Sequence, residues 1–84
     1  IDFTAVWCGP CQMMKPVVRE VAEKYAGRLV VGELDVDENV KMAQRFQITS
    51  VPTFILMKNG RVADHFIGAM PIQHLDERIV KHLG

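Results

Sequence analysis

Trp7-Cys8-Gly9-Pro10-Cys11 joins two kinds of sequence. Before it, Ile1 to Val6 is short, apolar and partly β-branched, the pattern of a strand, interrupted by Asp2. After it, Met14, Val17, Val18, Val21, Ala22 and Tyr25 recur at spacings of three and four, the apolar stripe of a helix, with Lys15, Arg19, Glu20 and Glu23 off the stripe. The junction holds the only 2 cysteines of the 84 residues. A disulfide between them closes too short a loop to staple a fold, because stabilisation by loop closure grows with loop length. The pair therefore reads as a bond made to open and close.

The pattern continues outward. Pro16 lies inside the first helix, lacks a donor and is expected to kink it. Gly27 is expected to end that helix as a left-handed cap. Leu29 to Val36 reads as a strand, and Asp37-Glu38-Asn39 as the start of a helix through Val40, Ala43 and Phe46. Thr53 to Met57 is apolar without alternation, as in a strand covered on both faces. Asn59-Gly60 signals a hairpin, Arg61 to Ile67 is its returning strand, and Gly68 breaks it. Pro71 opens a last helix at its first position, with Ile72, Leu75, Ile79 and Leu83 as its apolar stripe. The order is β-α-β-α-β-β-α, an α/β chain with a mixed sheet of about four strands and about three helices. The first three elements form a right-handed βαβ unit. No domain boundary or internal repeat is visible, so residues 1–84 are expected to form a single domain.

Composition narrows the function. Hydrophobic residues make up 49%, and 10 Lys+Arg balance 10 Asp+Glu. That balance gives no electrostatic reason to expect nucleic acid or an anionic membrane as a partner. No apolar run approaches the roughly 18 residues of a membrane-spanning helix, and no secretory signal or low-complexity tract is visible. The chain opens on Ile1 rather than Met, which allows for a processed or truncated N-terminus.

The cysteine pair has a chemistry of its own. A thiolate, not a thiol, attacks a disulfide. Cys8 at a helix N-terminus has its anion favoured by free N–H groups and the helix dipole, and is expected to be the exposed attacking sulfur. Cys11, one turn further on, is positioned to resolve the mixed disulfide. Gly9 permits a tight turn and Pro10 limits backbone freedom near the helix start. Zinc commonly needs four ligands, and His65, His74 and His82 lack paired ligand spacing, so no metal is expected. A c-type haem would need His where Gln12 stands. An inert pair of buried cysteines remains the plain alternative.

Several motifs in order carry a family resemblance over the whole chain: Asp2-Phe3, Ala5, Trp7-Cys8-Gly9-Pro10-Cys11, Asp35-Val36-Asp37-Glu38-Asn39, Val51-Pro52-Thr53, Lys58-Asn59-Gly60 and Ile67-Gly68-Ala69. Together they resemble the thioredoxin family. The resemblance implies the thioredoxin fold and a general protein dithiol–disulfide oxidoreductase. In that family Cys8 would be the nucleophile, Cys11 the resolving thiol and Pro52 a cis-proline facing them. Trp7, Gly9, Pro10, Val51, Gly68 and Ala69 would form the apolar substrate surface, with the Val51 backbone open to a substrate strand. Asp2 would be a buried acid with a raised pKa, exchanging a proton with Cys11; the residues alone read it as a partly exposed strand-end aspartate. The Gly-Pro dipeptide matches the reducing end of a superfamily whose potentials span about 150 mV, or about 7 kcal/mol.

The resemblance further implies no bound cofactor, a redox-active Cys8–Cys11 disulfide, and electrons from NADPH through a flavin enzyme, thioredoxin reductase. Disulfide-containing proteins would be the substrates and the cytoplasm the location. The alternative is a non-redox binding subunit or holdase using the same apolar surface. Two substitutions touch the site: Thr4 stands where many members carry a second tryptophan, and Glu33 where several carry lysine. Glu33 either raises the pKa of Asp2 or points to solvent. The family's first strand and helix, roughly 20 residues, have no counterpart before Ile1. Their loss is expected to leave Leu29–Val36 as an exposed apolar edge, open to a homodimer.

Overall fold

The computed structural model describes residues 1–83. Its elements follow the expected order: β1 (Asp2–Thr4), α1 (Gly9–Lys24), β2 (Glu33–Asp35), α2 (Val40–Arg45), β3 (Thr53–Lys58), β4 (Arg61–Ile67) and α3 (Ile72–Val80). The four strands form one mixed sheet in the order β2-β1-β3-β4. β1 runs parallel to β2 and antiparallel to β3, and β3 pairs antiparallel with β4. Asn59 (φ 54°) and Gly60 (φ 77°) are both left-handed, as the tight hairpin between β3 and β4 requires.

Strand alternation sorts β1 onto two faces. Phe3 is fully buried and meets Phe46, beyond the end of α2, at 5.6 Å between ring centroids. Asp2 and Thr4 point to the opposite face, where Asp2 lies beside Phe54 of β3. That face holds the main core: Met14, Val21 and Tyr25 from the α1 side, Phe54 and Phe66 from the hairpin, Leu75 and Ile79 from α3. Polar clamps rim this core. Asp76 accepts from Lys24 Nζ at 3.0 Å and from the Tyr25 hydroxyl, tying α1 to α3. Arg78 grips Asp64 through Nη2 at 2.6 Å and Nε at 2.9 Å, tying α3 to β4.

Several boundaries differ from expectation. The strand expected over Leu29–Val36 is only Glu33–Asp35, and the one expected over Ile1–Val6 is only Asp2–Thr4. The cause is register. Asp2 pairs with Glu33 and its N–H bonds Gly32 O, so Leu29 to Val31 lie beyond the end of β1 with no strand beside them. Leu29 and Val31 pack partly against the core instead, while Val30 is exposed. α1 continues across Pro16 and stops at Lys24 with Tyr25 as its cap; Gly27 (φ 85°) turns the chain two residues after that cap. Pro71 is the residue before α3, not its first. Asn39 precedes α2 but makes no side-chain cap; Asp35 Oδ1 takes the Asp37 and Glu38 N–H groups at 2.8 and 3.3 Å.

Candidate functional site

The end of β1 delivers the chain directly into α1, and the two cysteines sit at that corner. Cys8 is the N-cap of α1, extended at φ −90° and ψ 109°. Its Sγ accepts the Cys11 N–H at 3.1 Å, taking one of the helix's free donors. The two cysteines are joined in a disulfide with their Cα atoms 5.2 Å apart. Ala5 packs against both, and its carbonyl accepts from Cys8 N and Gln12 Nε2, each at 3.2 Å. The corner is thus fixed by backbone and side chain together.

Two further loops close on it. Val51 O lies 3.7 Å from Cys8 Sγ, and the Val51–Pro52 peptide is cis. Pro52 O accepts the N–H of Gly68 (φ 96°) at 2.8 Å, and Thr53 Oγ1 donates to Ser50 O at 2.7 Å. Val51 thus packs against the cysteine pair, and the Gly68 bond ties the chain after β4 to the adjoining Pro52. Trp7, Gly9, Pro10 and Ala69 are exposed, Val51 and Gly68 half-buried, and Pro52 buried. Trp7 stands 70% exposed, held by its Nε1 donating to Asp37 Oδ2 at 2.7 Å.

One expectation needs correction. Cys8 is not an exposed sulfur in this disulfide form; the residue is 4% exposed and Cys11 2%. Closing the bond puts the Cys11 sulfur against one side of Cys8, and the Val51 carbonyl covers another. The exposed surface belongs to the flanking Trp7, Gly9 and Pro10.

Asp2 is 4% exposed, and its Oδ1 has no partner. Burial first, and the neighbouring Glu33 carboxylate second, push its carboxyl up to about 6, against the opposing charges of the Ile1 ammonium and Lys15. Glu33 does two things at once. It is exposed, yet it pairs with Lys15 Nζ at 2.7 Å and acts on Asp2 across the β1–β2 register.

Sequence reasoning missed Asp37 as the Trp7 partner and Lys15 as the Glu33 partner. The first had a usable signal. Once β1 and β2 are read as parallel, Trp7 and Asp37 both lie just past their ends. The second had none, because α1 must be docked before Lys15 faces β2.

The comparisons with known proteins agree with this geometry. The thioredoxin family model matches residues 1–81. The chain belongs to the thioredoxin family. A thioredoxin of Chlorobaculum thiosulfatiphilum is 40% identical over 84 residues, all of this chain and 78% of the relative. A thioredoxin of Staphylococcus saprophyticus is 46% identical over 83 residues, 99% of this chain and 80% of the relative. The crystal structure of the thioredoxin NaTrxh from Nicotiana alata superposes with a TM-score of 0.90 at 41% identity, covering 96% of this chain and 69% of that one. The family and the closed Cys8–Cys11 pair make this thioredoxin a thiol–disulfide oxidoreductase. Among the described residues, no group of three or more His, Cys, Asp or Glu is placed to hold a metal, and no helix is long and apolar enough to cross a membrane.

Proposed function

We propose that this thioredoxin is a general protein-disulfide reductant. In its reduced form the Cys8 thiolate attacks a substrate disulfide, and the first substrate sulfur leaves and takes a proton. Cys11 gives its proton to Asp2 and attacks Cys8 Sγ; the mixed disulfide breaks, and the second substrate sulfur leaves and takes a proton. The substrate gains two electrons and two protons, and the enzyme is left as the Cys8–Cys11 disulfide. The observation that carries this reading is the Cys11 N–H aimed at Cys8 Sγ, 3.1 Å away at the N-cap of α1. A donor fixed there favours the thiolate as nucleophile and as leaving group. Asp2 supports the second step, since an acid poised at about 6 exchanges protons near neutral pH.

Trp7, Gly9, Pro10, Val51, Pro52, Gly68 and Ala69 form the substrate surface in this reading. A substrate strand would lie across the rim that Trp7 and Val51 make beside the sulfur. No cofactor binds the chain; NADPH through the flavin enzyme thioredoxin reductase restores the dithiol. Such a reductant suits the cytoplasm, where thiols are kept reduced. A homodimer along Leu29–Val36 loses most of its basis. The remaining edge is Glu33–Asp35, and an antiparallel second copy would set Glu33 against Asp35, like charge against like. Sedimentation at high concentration checks this, with a monomer expected and a dimer overturning it.

Dithiothreitol-coupled insulin reduction, run beside Cys8→Ser, tests the reductant reading. The parent is expected to accelerate precipitation and Cys8→Ser to match the uncatalysed rate. Equal rates for the two proteins would overturn it in favour of the binding-module alternative.

A further inference from the structure

β4 is an edge strand, paired only with β3 among the described residues. It ends at Ile67 and α3 begins at Ile72, so Gly68 to Pro71 alone join them. A loop this short takes its shape from how its two flanking elements are held. Two backbone donors tie it inward. Gly68 N–H bonds Pro52 O at 2.8 Å, and Met70 N–H lies 3.5 Å from Met14 Sδ on α1. Pro52 follows Val51, whose carbonyl stands beside Cys8 Sγ. The loop therefore adjoins the reactive corner through Pro52.

A charged clamp holds the base of the same loop. Asp64 on β4 and Arg78 on α3 bracket it in sequence and meet in space. Arg78 Nη2 donates to Asp64 Oδ1 at 2.6 Å and to the His65 carbonyl at 3.2 Å, and Nε donates to Asp64 Oδ2 at 2.9 Å. The guanidinium carbon stands 4.9 Å from the centroid of the Phe66 ring. His82, about one helical turn after Arg78, sets its Nε2 3.3 Å from Asp64 Oδ2. A single exposed ion pair contributes little to stability. A two-pronged pair stacked on a ring fixes direction instead, because the planar fork meets a carboxylate in one orientation. Arg78 also forms part of the wall of an open groove of about 520 Å³, together with Ile67, Ala69, Met70, His74 and Glu77. Ala69 belongs both to this groove and to the proposed substrate surface, so the two are continuous.

We propose that Arg78, locked by Asp64, is a positioning residue for protein substrates: it sets the Gly68–Met70 loop and the groove beside it, and the substrate chain that flanks the disulfide lies in that groove. The inference rests on the reductant reading and its substrate surface. The pair touches no reacting atom. It acts on how a polypeptide docks and leaves the thiol chemistry alone. Arg78 holds the Asp64 carboxyl well below the usual carboxylate range, so the clamp is intact at neutral pH.

The test sets a protein disulfide against a small one. Reduced protein is mixed with insulin or with bis(2-hydroxyethyl) disulfide, which has no flanking chain. Samples are acid-quenched and alkylated, and the fraction still reduced is read by mass spectrometry. Arg78→Met, which keeps the stem and loses the fork, is expected to lower the insulin rate constant about fivefold, because contacts remote from the sulfur are lost. Its rate with the small disulfide should stay within about twofold of the parent, since that reaction makes no such contacts. Asp64→Ala should match Arg78→Met, the double variant should be no slower than either, and Arg78→Lys should fall between them and the parent. The small disulfide also reports that the site of each variant is folded. An unchanged insulin rate in Arg78→Met would overturn the positioning role and leave the reductant reading standing. Equal slowing with both substrates would show general disturbance of the fold and also overturn it, as would additive losses in the double variant. A parent that reacts with the small disulfide but not with insulin would overturn the reductant reading, and this inference with it.

Discussion

Replacing Asp2 by asparagine should make the oxidised protein more stable at neutral pH, and by an amount that depends on pH. The Asp2 carboxyl is held at about 6 in the fold against 3.8 in the unfolded chain. The folded protein therefore binds this proton more tightly than the unfolded one. Stability from this group is present below 3.8, is lost as pH rises through the interval from 3.8 to about 6, and is gone at pH 7. The full loss is about 3 kcal/mol at pH 7, but only about 0.6 kcal/mol at pH 4. Asparagine has nearly the same shape and no charge, so the variant escapes the loss. Urea unfolding at pH 4, 5, 6 and 7 reads it. With a slope near 1 kcal/mol/M for a chain this small, the midpoints should differ by about 3 M at pH 7 and by less than about 1 M at pH 4. Asp64, held well below the usual carboxylate range by Arg78, acts below this interval. The Ile1 ammonium, pushed down by burial and held up by the Asp2 charge, loses that support in the variant, which trims the gain toward pH 7 without reversing the trend from pH 4 to 6. A midpoint difference that is the same at pH 4 and 7 would refute the reasoning. It would mean that the substitution acts through packing and that Asp2 does not titrate in this interval.

The Glu33 and Lys15 charges should move the Asp2 titration in opposite directions. Glu33→Gln should lower it below 6 and Lys15→Met should raise it, with added salt shrinking both shifts because the pair is largely exposed; shifts of the same sign would contradict the coupling. Gln47 sits at φ 56° just after α2, where its N–H bonds Gln44 O and the next N–H bonds Ala43 O. Gln47→Gly should stabilise the fold by up to about 1 kcal/mol, read as a higher urea midpoint. Asp64 contributes stability above its unfolded pKa that disappears as pH falls below about 4. Asp64→Asn should therefore flatten the acid side of the stability profile; an unchanged acid limb in thermal melts from pH 2 to 5 would refute that assignment.

Most of the architecture was legible because its signals are local. Spacings of three and four around Met14, Val17, Val21 and Tyr25 define a helix wherever that segment is put. Asn59-Gly60 carries the two left-handed residues that its turn demands. The cysteines at a strand-to-helix corner announce redox chemistry for the same reason: the N-cap that favours a thiolate is built from adjacent residues. Strand length was less legible. Leu29 to Val31 look as strand-like as Leu34, yet a strand exists only beside a partner, and β1 ends first.

The sequence alone determined the element order and the identity of the reactive pair, because both follow from interactions within a turn or two of chain. Only the tertiary structure decided what surrounds that pair. It brought Val51 O to the Cys8 sulfur from 43 residues away and Asp37 to Trp7 from 30. It also set Glu33 beside a buried Asp2 and turned Lys15 toward both. Those contacts depend on the register of β1 with β2 and on how α1 docks over the sheet. Register and docking are set by burial summed over the whole domain, which no single stretch of residues encodes.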